Sequence, residues 1–189
     1  MMKKLLIGLA ITLLGWSLKA QQDFQKAEIK IHPDSELTIG GKTNVNKFDC
    51  KFSMELVDKP IHFQIREKGN NFSFENLTIS LLTKGFDCGN RRMNRDFQDL
   101  LLSEKYPEIR ISLNDLEPIS EKYSKAFISV GIAGKKKLYE LPLKIDEENF
   151  IGKFSINIRN FGLEPPRKAL GLIEVDEMIE VQFDLKVIH

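Results

Sequence analysis

The chain has little of what most enzyme chemistry requires. It carries three histidines, two cysteines and one tryptophan in 189 residues. His32, His62 and His189 each stand alone, without His-x-x-x-His or Cys-x-x-Cys spacing, so no metal centre is legible. A catalytic cysteine needs a base within hydrogen-bond reach, and neither Cys50 nor Cys88 lies in a motif that supplies one. Phosphate-cradling glycine loops and the Gly-x-Ser-x-Gly elbow are missing too. Acidic pairs such as Glu147-Glu148 and Asp176-Glu177 fall in turns, where they read as solvated charges. The expectation is a non-enzyme with no catalytic residue, no metal and no cofactor.

Long apolar runs are lacking as well, with one exception. Leu5 to Trp16 is an apolar stretch of twelve residues, whereas a membrane-spanning helix takes roughly 20. Lys3 and Lys4 precede it and Ser17-Leu18-Lys19-Ala20 follow it, the order of a secretory signal peptide. The reading is a leader at 1–20, cleaved near Ala20, and a domain at 21–189 that is periplasmic or secreted. Leu18 is larger than the residue usual at that place, which leaves the cut open by a few positions. No cysteine follows it to take a lipid anchor. The remaining chain, about 170 residues, suits one domain with a real core. Three of the 28 basic residues of the full chain lie in the leader, so 28 less three, or 25, stand against 27 acidic ones and leave the remaining chain close to neutral. Nothing in that balance points to nucleic acid.

What the chain does have is alternation. "IHFQIRE" places Ile61, Phe63 and Ile65 on one face. "FSFENLTISLL" places Phe72 and Phe74, then Leu77, Ile79 and Leu81, with a register change near Glu75-Asn76 of the kind a bulge makes. Ile109, Ile111 and Leu113 repeat the pattern, as do Leu141, Leu143 and Ile145, then Phe154, Ile156 and Ile158, and finally the run from Ile179 through Phe183 to Val187. Turn residues separate the runs: Gly40-Gly41, Gly69-Asn70-Asn71, Gly131 with Gly134, and Glu147-Glu148-Asn149. About eight such strands predict an all-β domain, one antiparallel sheet closed as a barrel or folded as a sandwich. Met93, Phe97, Leu100 and Leu101 instead recur at helical spacing, predicting one short helix over Met93 to Leu102 with Asn94 as its cap.

An exported chain meets an oxidising compartment, so Cys50 and Cys88 are expected to pair, with two buried thiols as the alternative. Lys135-Lys136-Lys137 falls at a predicted hairpin tip and reads either as a solvated turn or as a peripheral contact with an anionic membrane surface. The interior is rich in Phe, Ile and Leu, with thirteen phenylalanines in the chain. An eight-stranded barrel is wide enough either to be filled by its own side chains or to hold one slender ligand. Alternation nominates Phe63, Ile65, Phe72, Phe74, Ile111, Leu143, Phe154, Ile156 and Phe183 as lumen residues.

Four stretches together carry a resemblance. "SELTIGGKTNVNKFDCKF" from Ser35, "FDCGNRRMNRDFQDLLLSEKYPEI" from Phe86, "AGKKKLYELPL" from Ala133 and "NIRNFGLEPPRKALGLIEVDEMIEVQFDL" from Asn157 resemble the YceI-like family, in its cysteine-containing branch. The resemblance implies a lipocalin-like antiparallel β-barrel of about eight strands with one short helix, exported to the periplasm. It implies a partner that is a hydrophobic small molecule, an isoprenoid-like lipid, held in the lumen, and paired cysteines at Cys50 and Cys88. A structural or adaptor barrel with a side-chain-filled lumen is the alternative.

Overall fold

The computed structural model describes residues 23–165, 167–168 and 173–188. The expected leader lies outside the described residues. The strands are β1 (Gln25–Ile31), β2 (Glu36–Lys42), β3 (Lys47–Phe52), β4 (Ile61–Lys68), β5 (Asn71–Glu75), β6 (Thr78–Leu82), β7 (Phe86–Asp87), β8 (Glu108–Pro118), β9 (Tyr123–Ile132), β10 (Lys135–Asp146), β11 (Asn149–Asn157), β12 (Arg167–Lys168), β13 (Ile173–Glu174) and β14 (Met178–Ile188). One α-helix, α1 (Arg91–Leu100), lies between β7 and β8. Among the described residues no helix is long and apolar enough to cross a membrane.

Alternation decides which way each strand faces. In β9, Ala126, Ile128, Val130 and Ile132 are buried on the inner face, because successive side chains of a strand point to opposite sides. Leu141 and Leu143 of β10, Phe154 and Ile156 of β11, and Val181 and Val187 of β14 are buried in the same way. Outward positions pair across strands, as Lys125 does with Glu140 and Lys153 with Glu180.

The main sheet runs β1-β4-β5-β8-β9-β10-β11-β14, and β14 returns to β1 through Lys30↔Ile188 and Ile31↔Val187. Every pairing in this eight-strand ring is antiparallel. Strand β2 pairs with β14 over Glu180 to Asp184 and carries β3 and β7 beyond it. Beside β8, β5 gives way to β6. The pairs Ser73↔Asp115 and Thr78↔Ser112 place a longer stretch on one strand opposite a shorter one on the other. The predicted bulge is therefore a break between two strands, turned by Asn76 at φ 66°. Asparagine is one of the few residues besides glycine that tolerates this left-handed conformation.

Several local expectations need correction. Gly40-Gly41 and Gly131 are not turns but ladder positions within β2 and β9. The helix starts at Arg91, and its cap is Asn90, whose side chain accepts a hydrogen bond from the Met93 amide at 3.0 Å. Asn94 lies inside the first turn and ties it down differently, accepting from the Cys88 amide at 2.7 Å and donating to Asp87 at 3.1 Å. Apolar periodicity locates the packed face of a helix, whereas the cap depends on where the preceding backbone is still extended; at Asn90 it is, with φ −160° and ψ 160°. The tip of the β9–β10 hairpin is Ala133-Gly134, both at positive φ. Lys135 to Lys137 follow it as the first residues of β10.

Candidate ligand cavity

The ring is hollow. Its lumen holds a cavity of about 450 Å³ lined by apolar side chains. Phe63 and Ile65 from β4, Phe72 and Phe74 from β5, Ile111 from β8, Leu143 from β10, Phe154 from β11 and Phe183 from β14 all face it. Ile156 is the exception among the nominated residues. It lies two positions beyond Phe154, toward the end of the ring near α1, and lines a separate cavity of about 30 Å³.

Other wall residues escaped the sequence reading. Leu37 reaches the cavity from β2, outside the eight-strand ring, and Met54 from a 3-10 turn at Met54–Leu56. Neither sits in a long alternating run, so periodicity had nothing to register. Ile128 and Phe150 belong to alternating strands and were legible by the same rule as the others.

Two small inward residues help keep the space open. Gly152 occupies the inner position between Phe150 and Phe154, and a Cβ there would stand 2.3 Å from the Phe183 ring. The Phe183 ring lies across the bare glycine and forms wall instead of plug. Two strands away, on β9, Ala126, 2% exposed, likewise contributes a methyl where a neighbour has a full side chain. Phe63 and Phe74 pack as a tilted pair at 6.1 Å, an arrangement that holds aromatic walls in place.

One end of the ring is closed. Phe97 and Leu101, at the end of α1 and just past it, line the 30 Å³ cavity. Phe86 of β7 links α1 to β3, with its ring 5.2 Å from Phe97 and 4.9 Å from Phe52. The Cys50–Cys88 disulfide ties β3 to the segment leading into the helix, and both sulfur residues are buried. Tyr139 packs nearby against Phe154 at 5.8 Å and Phe161 at 6.5 Å. Burial pushes its phenol pKa above the usual value, partly offset by the neighbouring Asn160 side chain. On the outer surface of this end, Arg159 donates to Glu177 and Glu164. The Glu177 hydrogen bond, then the Glu164 charge, raise its pKa. The opposite end is bordered by the turns at Gly69-Asn70 and Glu147-Glu148.

The polar groups are elsewhere. A trough of about 780 Å³ runs outside the wall over Thr78, Ser80 and Ser112, flanked by Lys105, Arg110 and Lys136. Its Thr78 and Ser112 hydroxyls bond each other at 2.7 Å, and Arg110 is held by Glu108. His62 pairs with Glu28 at 3.0 Å on the surface, and His32 lies 3.6 Å from Asp34. Among the described residues no three His, Cys, Asp or Glu side chains gather as a metal site would require.

A family model for the YceI-like domain matches residues 55–187. Comparison with curated proteins finds no match. Among solved structures, Burkholderia cenocepacia BcnA shares 16% identity over 82% of this chain and 96% of its own, with a TM-score of 0.63. The Campylobacter jejuni YCEI protein shares 14% identity over 95% of each chain, with a TM-score of 0.50. At these identities the structures speak for the fold, a lipocalin-like closed sheet, and the family model speaks for descent. With its lumen, its short helix and a match over most of its length, this chain belongs to the YceI-like domain family.

Proposed function

We propose that this protein binds and carries a hydrophobic small molecule, an isoprenoid-like or other lipid chain, in its lumen without transforming it, and that it does so in the bacterial cell envelope after export. The observation that carries the reading is the apolar cavity of about 450 Å³. A residual void costs about 24 cal/mol per Å³, so a lumen of this size left empty costs on the order of 10 kcal/mol. Domains have only about 5–15 kcal/mol of net stability. Water relieves little of that cost, because an ordered water needs two to four polar partners and the lining side chains are apolar. An apolar ligand relieves it, each buried methylene contributing about 0.8 kcal/mol.

The competing adaptor reading needs a barrel filled by its own phenylalanines. Phe63, Phe72, Phe74, Phe150, Phe154 and Phe183 instead line an open space. Export rests on the leader pattern before Gln21, and the disulfide accords with an oxidising compartment.

Native mass spectrometry of the protein purified from its own envelope, followed by organic extraction and lipid analysis, tests the proposal. A stoichiometric apolar adduct that disappears on extraction is the expected result. A bare mass, together with no uptake of lipid from vesicles, overturns it.

A further inference from the structure

The lumen is two chambers in series, about 450 Å³ and about 30 Å³. Leu37, Leu81, Ile111 and Phe154 line both. Ile111 and Phe154 come from β8 and β11 of the ring and Leu37 and Leu81 from β2 and β6 beside it, and together they stand between the two chambers. Phe154 is the one aromatic among them and the widest. It is 9% exposed and packs against the Tyr139 ring, which stacks on Phe161 in turn. Behind the partition, Phe97 and Leu101 close the smaller chamber, and α1 is held in place by the disulfide.

We propose that Phe154 is the length gauge of this lumen, an inference that rests on reading the chain as a carrier of apolar molecules. A chain entering from the end remote from α1 runs until its terminal methyl meets the Phe154 ring. At about 30 Å³ per group, the share of a water molecule in the liquid, the larger chamber takes roughly fifteen carbon-sized groups. That is the capacity for one acyl or prenyl chain, and a two-tailed lipid does not fit. Within the gauge length each added methylene tightens binding about fourfold, the equivalent of about 0.8 kcal/mol. Beyond it, further carbons stay outside and add little.

Shortening the side chain moves the stop. Phe154→Ala frees roughly three carbon-sized groups of volume and joins the smaller chamber to the larger, so the affinity plateau shifts about four carbons longer; Phe154→Leu frees about one and shifts it about one. The experiment measures competition of n-alkyl acids, from decanoate to docosanoate, against a fluorescent apolar probe for wild type and both variants. Phe154→Leu carries the test if Phe154→Ala does not fold. A plateau that moves in proportion to the volume freed is the expected result. A wild-type plateau that stays in place in the folded variants overturns the gauge and leaves carriage standing. Failure of wild type to bind any member overturns carriage and gauge together.

Discussion

Breaking the Cys50–Cys88 disulfide will lower the melting temperature by about 10 °C, a magnitude that follows from chain entropy. The bond joins residues 38 apart in sequence. Releasing a loop of about that length returns roughly 13 cal/mol/K to the unfolded chain, or about 4 kcal/mol at room temperature. A domain of about 170 residues unfolds with an entropy near 0.35 kcal/mol/K, so 4 kcal/mol becomes about 11 °C. The sulfurs are buried, Cys50 0% and Cys88 5% exposed, so reductant reaches them only when the corner opens. Reduction should therefore be done in mild denaturant that is then removed, and confirmed by mass. The assay is a far-ultraviolet circular dichroism melt of oxidised and reduced protein, with the Cys50→Ala, Cys88→Ala double variant alongside. Amide exchange should rise first in α1, since Cys88 lies two residues before its cap and its amide is bound to Asn94. A fall of less than about 3 °C after confirmed reduction, under about 1 kcal/mol, would refute the argument that this bond holds the closed end together.

Three further outcomes are expected. Ala126→Leu adds atoms to the cavity wall, so it should hold or raise the melting temperature of lipid-free protein while weakening apolar-probe binding; unchanged binding would show that Ala126 does not border the occupied space. Asn90→Ala removes the cap hydrogen bond to Met93 and should cost about 1 kcal/mol, seen as about 2–4 °C in the melt, with no change in binding-site size. Burial raises the folded-state pKa of Tyr139 above its unfolded value of about 10. Its contribution is therefore complete below about pH 10 and is lost as pH climbs through the folded pKa. Denaturant titrations of wild type and Tyr139→Phe should diverge only at alkaline pH, the variant losing less, and parallel curves would contradict this.

The resemblance in sequence pointed to the family, and alternation located most of the wall. Phe72, Phe74, Leu143 and Phe183 face the cavity because a strand of period two in an antiparallel ring leaves them no other side, and that much is written in neighbouring residues. Pairing of Cys50 with Cys88 was legible for a similar reason, being the only pairing two cysteines allow within one chain. Where the helix begins was not legible, because Asn90 and Asn94 are the same residue type and only the extended backbone at Asn90 distinguishes them. Nor was the division that puts Ile156 with the smaller chamber, since it depends on Leu37, Leu81, Ile111 and Phe154 converging from four strands distant in sequence. Above all, composition did not decide between a filled barrel and a hollow one. An inward phenylalanine has the same local pattern in either case. Whether it meets another side chain at the axis or leaves a gap depends on ring circumference, on bare positions such as Gly152, and on residues brought in from outside the ring such as Leu37 and Met54. Facing is a local property of the backbone, whereas empty volume belongs to all the walls at once.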